Sequence, residues 1–248
     1  MSSYRLFSGI ARLPRALAAL ACAVGFALAT TPALAQTPGS KNLAPGFTEI
    51  AKDARIVIMP VDVELFSLSA GGVAEPKADW TASAVQHMKA AMTSKAKSLG
   101  LSSSAMDEFT ADEFAEQVGL HAAVARSIAL HHSFAGPWAL PTKDGRLDWS
   151  FGESMQPLQA KTGARYALFV WVRDSYASAE RKAAMIAMAL LGVGLAGGSQ
   201  VGYASLVDLE TGRVQWFNRL ARGTGDLRET ASAVESIEAL MAGFPAVR

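Results

Sequence analysis

Cysteine is nearly absent: the one copy among 248 residues is Cys22. A disulfide framework and a cysteine-ligated zinc site are both excluded by that count. Charge of one sign is missing too, since 23 Lys and Arg stand against 22 Asp and Glu. No basic field exists to hold a phosphate backbone, so a nucleic-acid partner is not expected. Histidine occurs only 4 times, which confines imidazole chemistry to a few positions. Apolar side chains, in contrast, make up half of the chain and can supply a sizeable core.

The amino-terminal residues read as an export signal. Arg5, Arg12 and Arg15 form a charged start, Ala16 to Ala29 an apolar stretch, and Ala33 and Ala35 the small residues before a cleavage point between Ala35 and Gln36. The fourteen residues from Ala16 to Ala29 fall short of the roughly twenty needed to span a bilayer. Residues 1–35 are therefore expected to be a signal peptide, and the mature chain periplasmic or secreted. An outer-membrane lipoprotein anchored through Cys22 is the weaker alternative, because only six residues separate Arg15 from Cys22. Removing the leader takes away the one cysteine.

Residues 36–54 open with a Pro-, Gly- and polar-rich stretch and read as a flexible tether. Ile56, Val57, Ile58 and Met59 then form a β-branched apolar run closed by Pro60, which predicts a strand buried on both faces. Trp80, Ala84, Val85, Met88, Ala91, Met92 and Leu99 recur at helical spacing, with Asp79 as N-cap candidate and Gly100 as terminator. A second helix starts near Thr110 or Asp112 and runs to about His132, and a short one lies between Asp148 and Lys161. In "ARYALFVWVRDSYAS", Tyr166, Leu168, Val170 and Val172 alternate with Ala167, Phe169 and Trp171, and both sets are apolar, as in a central strand. Val201–Leu209 and Arg213–Ala221, joined by "ETG", read as an antiparallel hairpin. A last helix spans Leu227–Met241. The expectation is a single layered α/β domain over residues 55–248, with a mixed sheet, a C-terminal antiparallel hairpin and helices packed on it.

One stretch interrupts this order. From Ala183 to Val207 there is no charged residue, and within it Gly192, Gly194 and Gly197 keep a G-x-G-x-x-G spacing. A dinucleotide loop needs a helix opening at its last glycine, whereas "QVGYASLVDL" follows with strand alternation, so a glycine-rich connector is expected instead. The uncharged run can be a buried helix returning to the core, a self-association or partner surface, a membrane-dipping loop, or a full span. Its glycines weaken the last reading. We take residues 183–198 as an apolar insertion, with Met185, Met188, Leu191, Val193 and Leu195 as the candidate interaction segment. Arg181 and Lys182 stand at its entrance, placed to meet anionic lipid or an acidic partner.

"GARYALFVWVRDS" followed by "VGYASLVDLETGRVQWF" and a terminal helix resembles the periplasmic domains of the TolB amino-terminal type and the CsgG-related outer-membrane lipoproteins. The resemblance spans Arg55 to Phe244 and includes a D-x-x-T-G-x-x-x-W hairpin at Asp208, Thr211, Gly212 and Trp216. It implies an envelope assembly or accessory protein without an active site. Cys22 is poorly placed for lipid attachment, and one uncharged segment is present where a curli-type pore uses two.

Candidate chemistry is sparse. His121, His131 and His132 share a predicted helix, with His121 and His132 close to three turns apart and able to face one way, but without the spacing of a zinc pair. Ser94 and Lys97 match S-x-x-K by chance on an amphipathic helix. Asp107, Glu108, Asp112, Glu113 and Glu116 read as a solvated helix start, with a weak calcium site as the minor alternative. Trp171 and Trp216 fall in strands and are expected in the core, while Trp138 and Trp149 are candidate surface aromatics for a glycan or apolar ligand. No catalytic residue, cofactor or metal is assigned. The expected role is non-catalytic, in envelope assembly, through protein contacts or self-association with possible peripheral membrane contact. A periplasmic ligand-binding module and an unrecognised periplasmic hydrolase are the alternatives.

Overall fold

The computed structural model describes residues 40–134 and 136–248. The leader and its cleavage point after Ala35 lie outside the described residues.

In chain order the elements are β1 (Glu49–Ile50), β2 (Ile56–Ile58), β3 (Asp62–Leu68), β4 (Ala74–Pro76), α1 (Ala78–Ser98), β5 (Ser103–Ala105), α2 (Glu108–Asp112) and α3 (Ala115–Ile128). They continue with α4 (Gln156–Thr162), β6 (Tyr166–Ala177), α5 (Ala179–Leu190), β7 (Gln200–Asp208), β8 (Val214–Arg222), α6 (Thr230–Leu240) and β9 (Ala246–Val247). The architecture is mixed α/β in one domain, as expected.

β6 is the spine of a seven-stranded sheet. Along one side lie β2 and β3 end to end, both parallel to it, with Ile56 opposite Tyr166 and Asp62 opposite Trp171. β5 adds to β2 in parallel and β4 to β3 antiparallel. The other side carries the antiparallel β7 and β8. The chain between β2 and β3, Met59–Pro60–Val61, is a break rather than an end: Pro60 has no N–H to give the ladder, yet the chain resumes the same line as β3 at Asp62. The sequence reading closed the strand at Pro60 and missed β3.

The two apolar sets of β6 feed two cores. Tyr166, Leu168, Val170 and Val172 join α1 and α6, with Met88, Met92 and Ile237 buried among them. Ala167 and Phe169 join the other layer, under α3 and α4, with Ile128, Leu158, Val207 and Phe217. The α1 stripe of Ala84, Met88, Ala91, Met92 and Ala96 is buried, as its periodicity requires.

The hairpin motif is structural. Asp208, 2 % exposed, accepts from the backbone N–H of Glu210 at 3.1 Å and of Thr211 at 3.0 Å. Gly212 has φ 68°, and a Cβ there would lie 2.0 Å from the Gly152 carbonyl oxygen, so only glycine fits the turn. Trp216 is fully buried, with Phe244 edge-on at 5.0 Å.

Residues 40–54, expected within a tether, are built into the fold. Leu43 bridges Trp216 on the β8 edge, and β1 pairs in parallel with β9. The polar composition of this segment reports its turns, but its few apolar residues, Leu43, Phe47 and Ile50, pack on the core.

Candidate functional site

α5 and the loop behind it form the most unusual surface. Ser178 caps the helix, its Oγ accepting from Arg181 N–H at 3.1 Å. Ala, Met and Leu favour the helix that follows, and Gly192 at φ 74° turns the chain out of it. No residue of α5 is buried. Ala184, Met185 and Met188 lean inward and are half-buried, whereas Ala183, Ile186, Ala187 and Leu190 face solvent. Ile186 is 67 % exposed, Leu190 84 %, Leu191 75 % and Val193 43 %. These side chains form a run of exposed apolar surface.

Of the five residues expected to form the interaction segment, Leu191 and Val193 are therefore exposed, while Met185, Met188 and Leu195 are half-buried. Ile186 and Leu190 were missed, although their i, i+4 spacing was a usable signal. The reading of this run as a buried helix returning to the core is not what the fold shows. Among the described residues no helix is long and apolar enough to cross a membrane.

Arg181 is not a free cation at the entrance. Its guanidinium donates to Ala196 O from Nε at 3.2 Å and Nη2 at 3.0 Å, and to Ala70 O from Nη1 at 3.1 Å. Lys182 stays exposed. The glycines lead into β7, not into a helix, and Gly198 has a packing role: at φ 146°, a Cβ there would meet Ser175 O at 2.0 Å.

A buried polar network roots this excursion. Asp174, 2 % exposed, accepts from the Tyr176 hydroxyl and from Gln200 Nε2 at 2.7 Å. Gln200 Oε1 in turn accepts from Arg222 Nε at 2.7 Å and Ser236 Oγ at 3.0 Å. Tyr176 Oη accepts from Leu227 N–H at 2.6 Å. Burial pushes the Asp174 carboxyl above its ordinary range, and its two hydrogen bonds oppose that shift.

A second concave feature opens where β2 breaks into β3. The cleft, about 480 Å³, is bounded by that break, by α2 and by the first turns of α3, with Phe169, Trp171 and Tyr203 of the sheet as its floor. Of the α3 residues that line it, Ala115, Gly119 and Ala122 are small and leave space beside Val118 and His121. Trp171, expected in the core, is half-buried here. It stacks on Tyr203 at 5.0 Å and carries the Arg173 guanidinium 4.8 Å from its centroid. Arg173 also pairs with Asp62 at 2.7 Å and Glu64 at 3.2 Å. Burial, with Asp62 nearby, pushes the Tyr203 phenol up to about 12.

His121 stacks on Phe169 at 3.8 Å and sits 2.6 Å from Ser205 Oγ through Nε2. Burial lowers its pKa to about 3, so the ring is neutral and a weak base. Ser205 is 1 % exposed. His132 bonds elsewhere, to Lys41 O at 2.7 Å, because α3 runs on into a π-helical turn, Ala129–Ser133, that breaks the 3.6-residue period. His131 donates to Trp138 O at 2.8 Å and stacks on Trp149 at 6.5 Å. Trp138 is 59 % exposed and Trp149 half-buried. The acidic run resolves into a helix cap, Asp107 accepting from Thr110 N–H at 2.9 Å, which holds its carboxyl below the usual range. No three metal-ligating side chains converge among the described residues.

No protein-family model matches the chain, and no curated protein does. It is similar to a PelC dodecamer structure from Paraburkholderia phytofirmans, at 13 % identity and TM-score 0.37 over 79 % of this chain and 91 % of that one. It is also similar to lipoprotein GNA1162 from Neisseria meningitidis, at 13 % identity and TM-score 0.32 over 77 % and 98 %. A third likeness is the LpoB C-terminal domain from Salmonella enterica, at 13 % identity and TM-score 0.28 over 72 % and 87 %. The similar structures thus include a bacterial lipoprotein; superpositions this loose fix neither a TolB or CsgG membership nor a function.

Proposed function

We propose that this is an exported, non-catalytic accessory protein of the bacterial cell envelope that works through protein contacts made by the outward face of α5 and the loop after it. One observation carries the reading: no residue of α5 is fully buried, and Ile186, Leu190, Leu191 and Val193 stand in solvent. Covering Ile, Leu and Val side chains gains roughly 1.5–3 kcal/mol each, enough for a few of them to hold a partner. The network from Asp174 to Ser236 makes the base of this surface rigid. The non-catalytic part rests on His121 and Ser205: the hydroxyl is buried beneath a neutral ring, without access for an external substrate.

The test is a photo-activatable cross-linker at position 190 in living cells, with position 153, also exposed, as control. Discrete protein adducts at 190 alone are expected, and Ile186→Asp with Leu190→Asp should remove them while circular dichroism and Tm stay unchanged. Lipid adducts only, with the purified chain floating on vesicles, would overturn the reading in favour of membrane contact. A large fall in Tm of the double variant would show instead that this face is ordinary core.

A further inference from the structure

The cleft at the β2–β3 break has features that the contact face of α5 does not explain. Its floor is aromatic, and α3 keeps it open with small side chains. Its volume, about 480 Å³, lies within the roughly 300–1,000 Å³ of small-molecule sites and exceeds what a single basic side chain of a partner would fill. Asp62, Glu108 and Asp112 stand along its wall, and no Lys or Arg lines it among the described residues. Asp62 is engaged by Arg173, whereas Glu108 and Asp112 take part in no ion pair among the described residues. Carboxylates beside a concave apolar surface focus a negative potential into it.

A second, independent feature lies at the floor. Tyr203 is only 3 % exposed, it lines the cleft, and its hydroxyl has no hydrogen-bond partner among the described residues. The hydroxyl is not one of the fully buried unpaired polar atoms, so it opens to the cleft, where a ligand can bond it. The phenol offers a ligand both a donor and an acceptor.

We propose that this cleft binds a small organic ammonium ion with an apolar body. The body lies on Phe169 and the edges of Trp171 and Tyr203 beneath the small residues of α3. The charge is seated at Glu108 and Asp112, because the Trp171 ring already receives the Arg173 guanidinium. The Tyr203 hydroxyl takes a polar atom of the ligand.

The experiment is calorimetric titration of the chain from residue 36 to 248 with 4-phenylbutylamine and with its neutral counterpart 4-phenylbutanol. Saturable binding of the amine is expected, about tenfold or more tighter than the alcohol, the scale of one charge-assisted hydrogen bond. Glu108→Gln with Asp112→Asn should bring the amine down to the alcohol and leave the alcohol as it was. Gly119→Leu should abolish both, since a Cβ at 119 meets nothing within 4 Å and the added side chain occupies the space. Its Tm should not fall, because leucine favours a helix over glycine, which separates a blocked cleft from a broken fold. Equal affinity for amine and alcohol, no saturation at millimolar amine, or undiminished binding in Gly119→Leu would each overturn the proposal. Tighter binding of a lysine-containing tetrapeptide than of the amine would also overturn it, in favour of a protein ligand. None of these substitutions touches α5, so failure here leaves the contact reading standing.

Discussion

His121 places an ionisable ring against Phe151, Phe169 and Tyr203 in an apolar layer. In the unfolded chain it titrates near 6.5, and in the fold near 3. Between these values the unfolded state binds the proton and the native state does not, so the contribution of the neutral ring is complete above about pH 6.5 and is lost as pH falls toward 3. The slope is about 1.4 kcal/mol per pH unit for one proton. Asp174 acts in the opposite sense, because a raised carboxyl pKa favours the fold as pH falls. Comparison with His121→Gln isolates the histidine: denaturant midpoints from pH 7 to pH 4 should fall more steeply in the parent chain than in the variant. Parallel slopes would show that the ring is charged in the fold. That His121 would be buried alone, with Ser205 as partner, was not visible in the sequence. The expectation that His121 and His132 could face one way assumed an uninterrupted α-helix, and the π-helical turn removed it.

For whole elements, legibility followed periodicity. β6, the β7–β8 hairpin and α1 were readable because each repeats apolar residues at the period of its own geometry. β3 is hidden in the sequence because a proline normally ends a strand, whereas here it marks a break within one line of strand. α5 was ambiguous for another reason: a run of Ala, Met, Ile and Leu looks the same whether it is buried or left uncovered. What holds it is Arg181, clamped on two carbonyls across the loop and the β3–β4 turn. Arg181→Met should loosen this excursion without unfolding the domain, because each lost hydrogen bond costs only about 0.5–1.5 kcal/mol net. Amide exchange at residues 183–190 should then quicken by about tenfold while global Tm hardly moves. Unchanged local exchange would mean that the inward Met185 and Met188 hold the helix unaided.

Across the molecule, the N-terminal segment closes what the sheet leaves open. β8 is an edge strand, and residues 42–44 lie along it: Ala44 N–H donates to Gln215 O and Phe217 N–H to Asn42 O, each at 2.9 Å. Uncovered strand edges invite pairing with other chains. A chain starting at Phe47 loses both bonds and the Leu43 contact, a cost of roughly 1–3 kcal/mol. It should melt several degrees lower and scatter light on heating at concentrations where the chain from residue 36 stays clear. An unchanged melting curve would show that these residues merely rest on the edge.

By itself, the sequence determined the class of the fold, the central strand with its two apolar faces, the hairpin closed by Asp208 and Gly212, and the absence of cysteine chemistry from residues 36–248. Those properties depend on neighbours a few residues apart, where side-chain period and backbone freedom act directly. The tertiary structure alone decided that Ile186 and Leu190 stand uncovered, that Arg181 is spent on carbonyls, and that Tyr203, Glu108 and Gly119 meet around one cleft. These depend on which surfaces the chain brings together from segments far apart in sequence, and apolar composition is the same on either side of that choice.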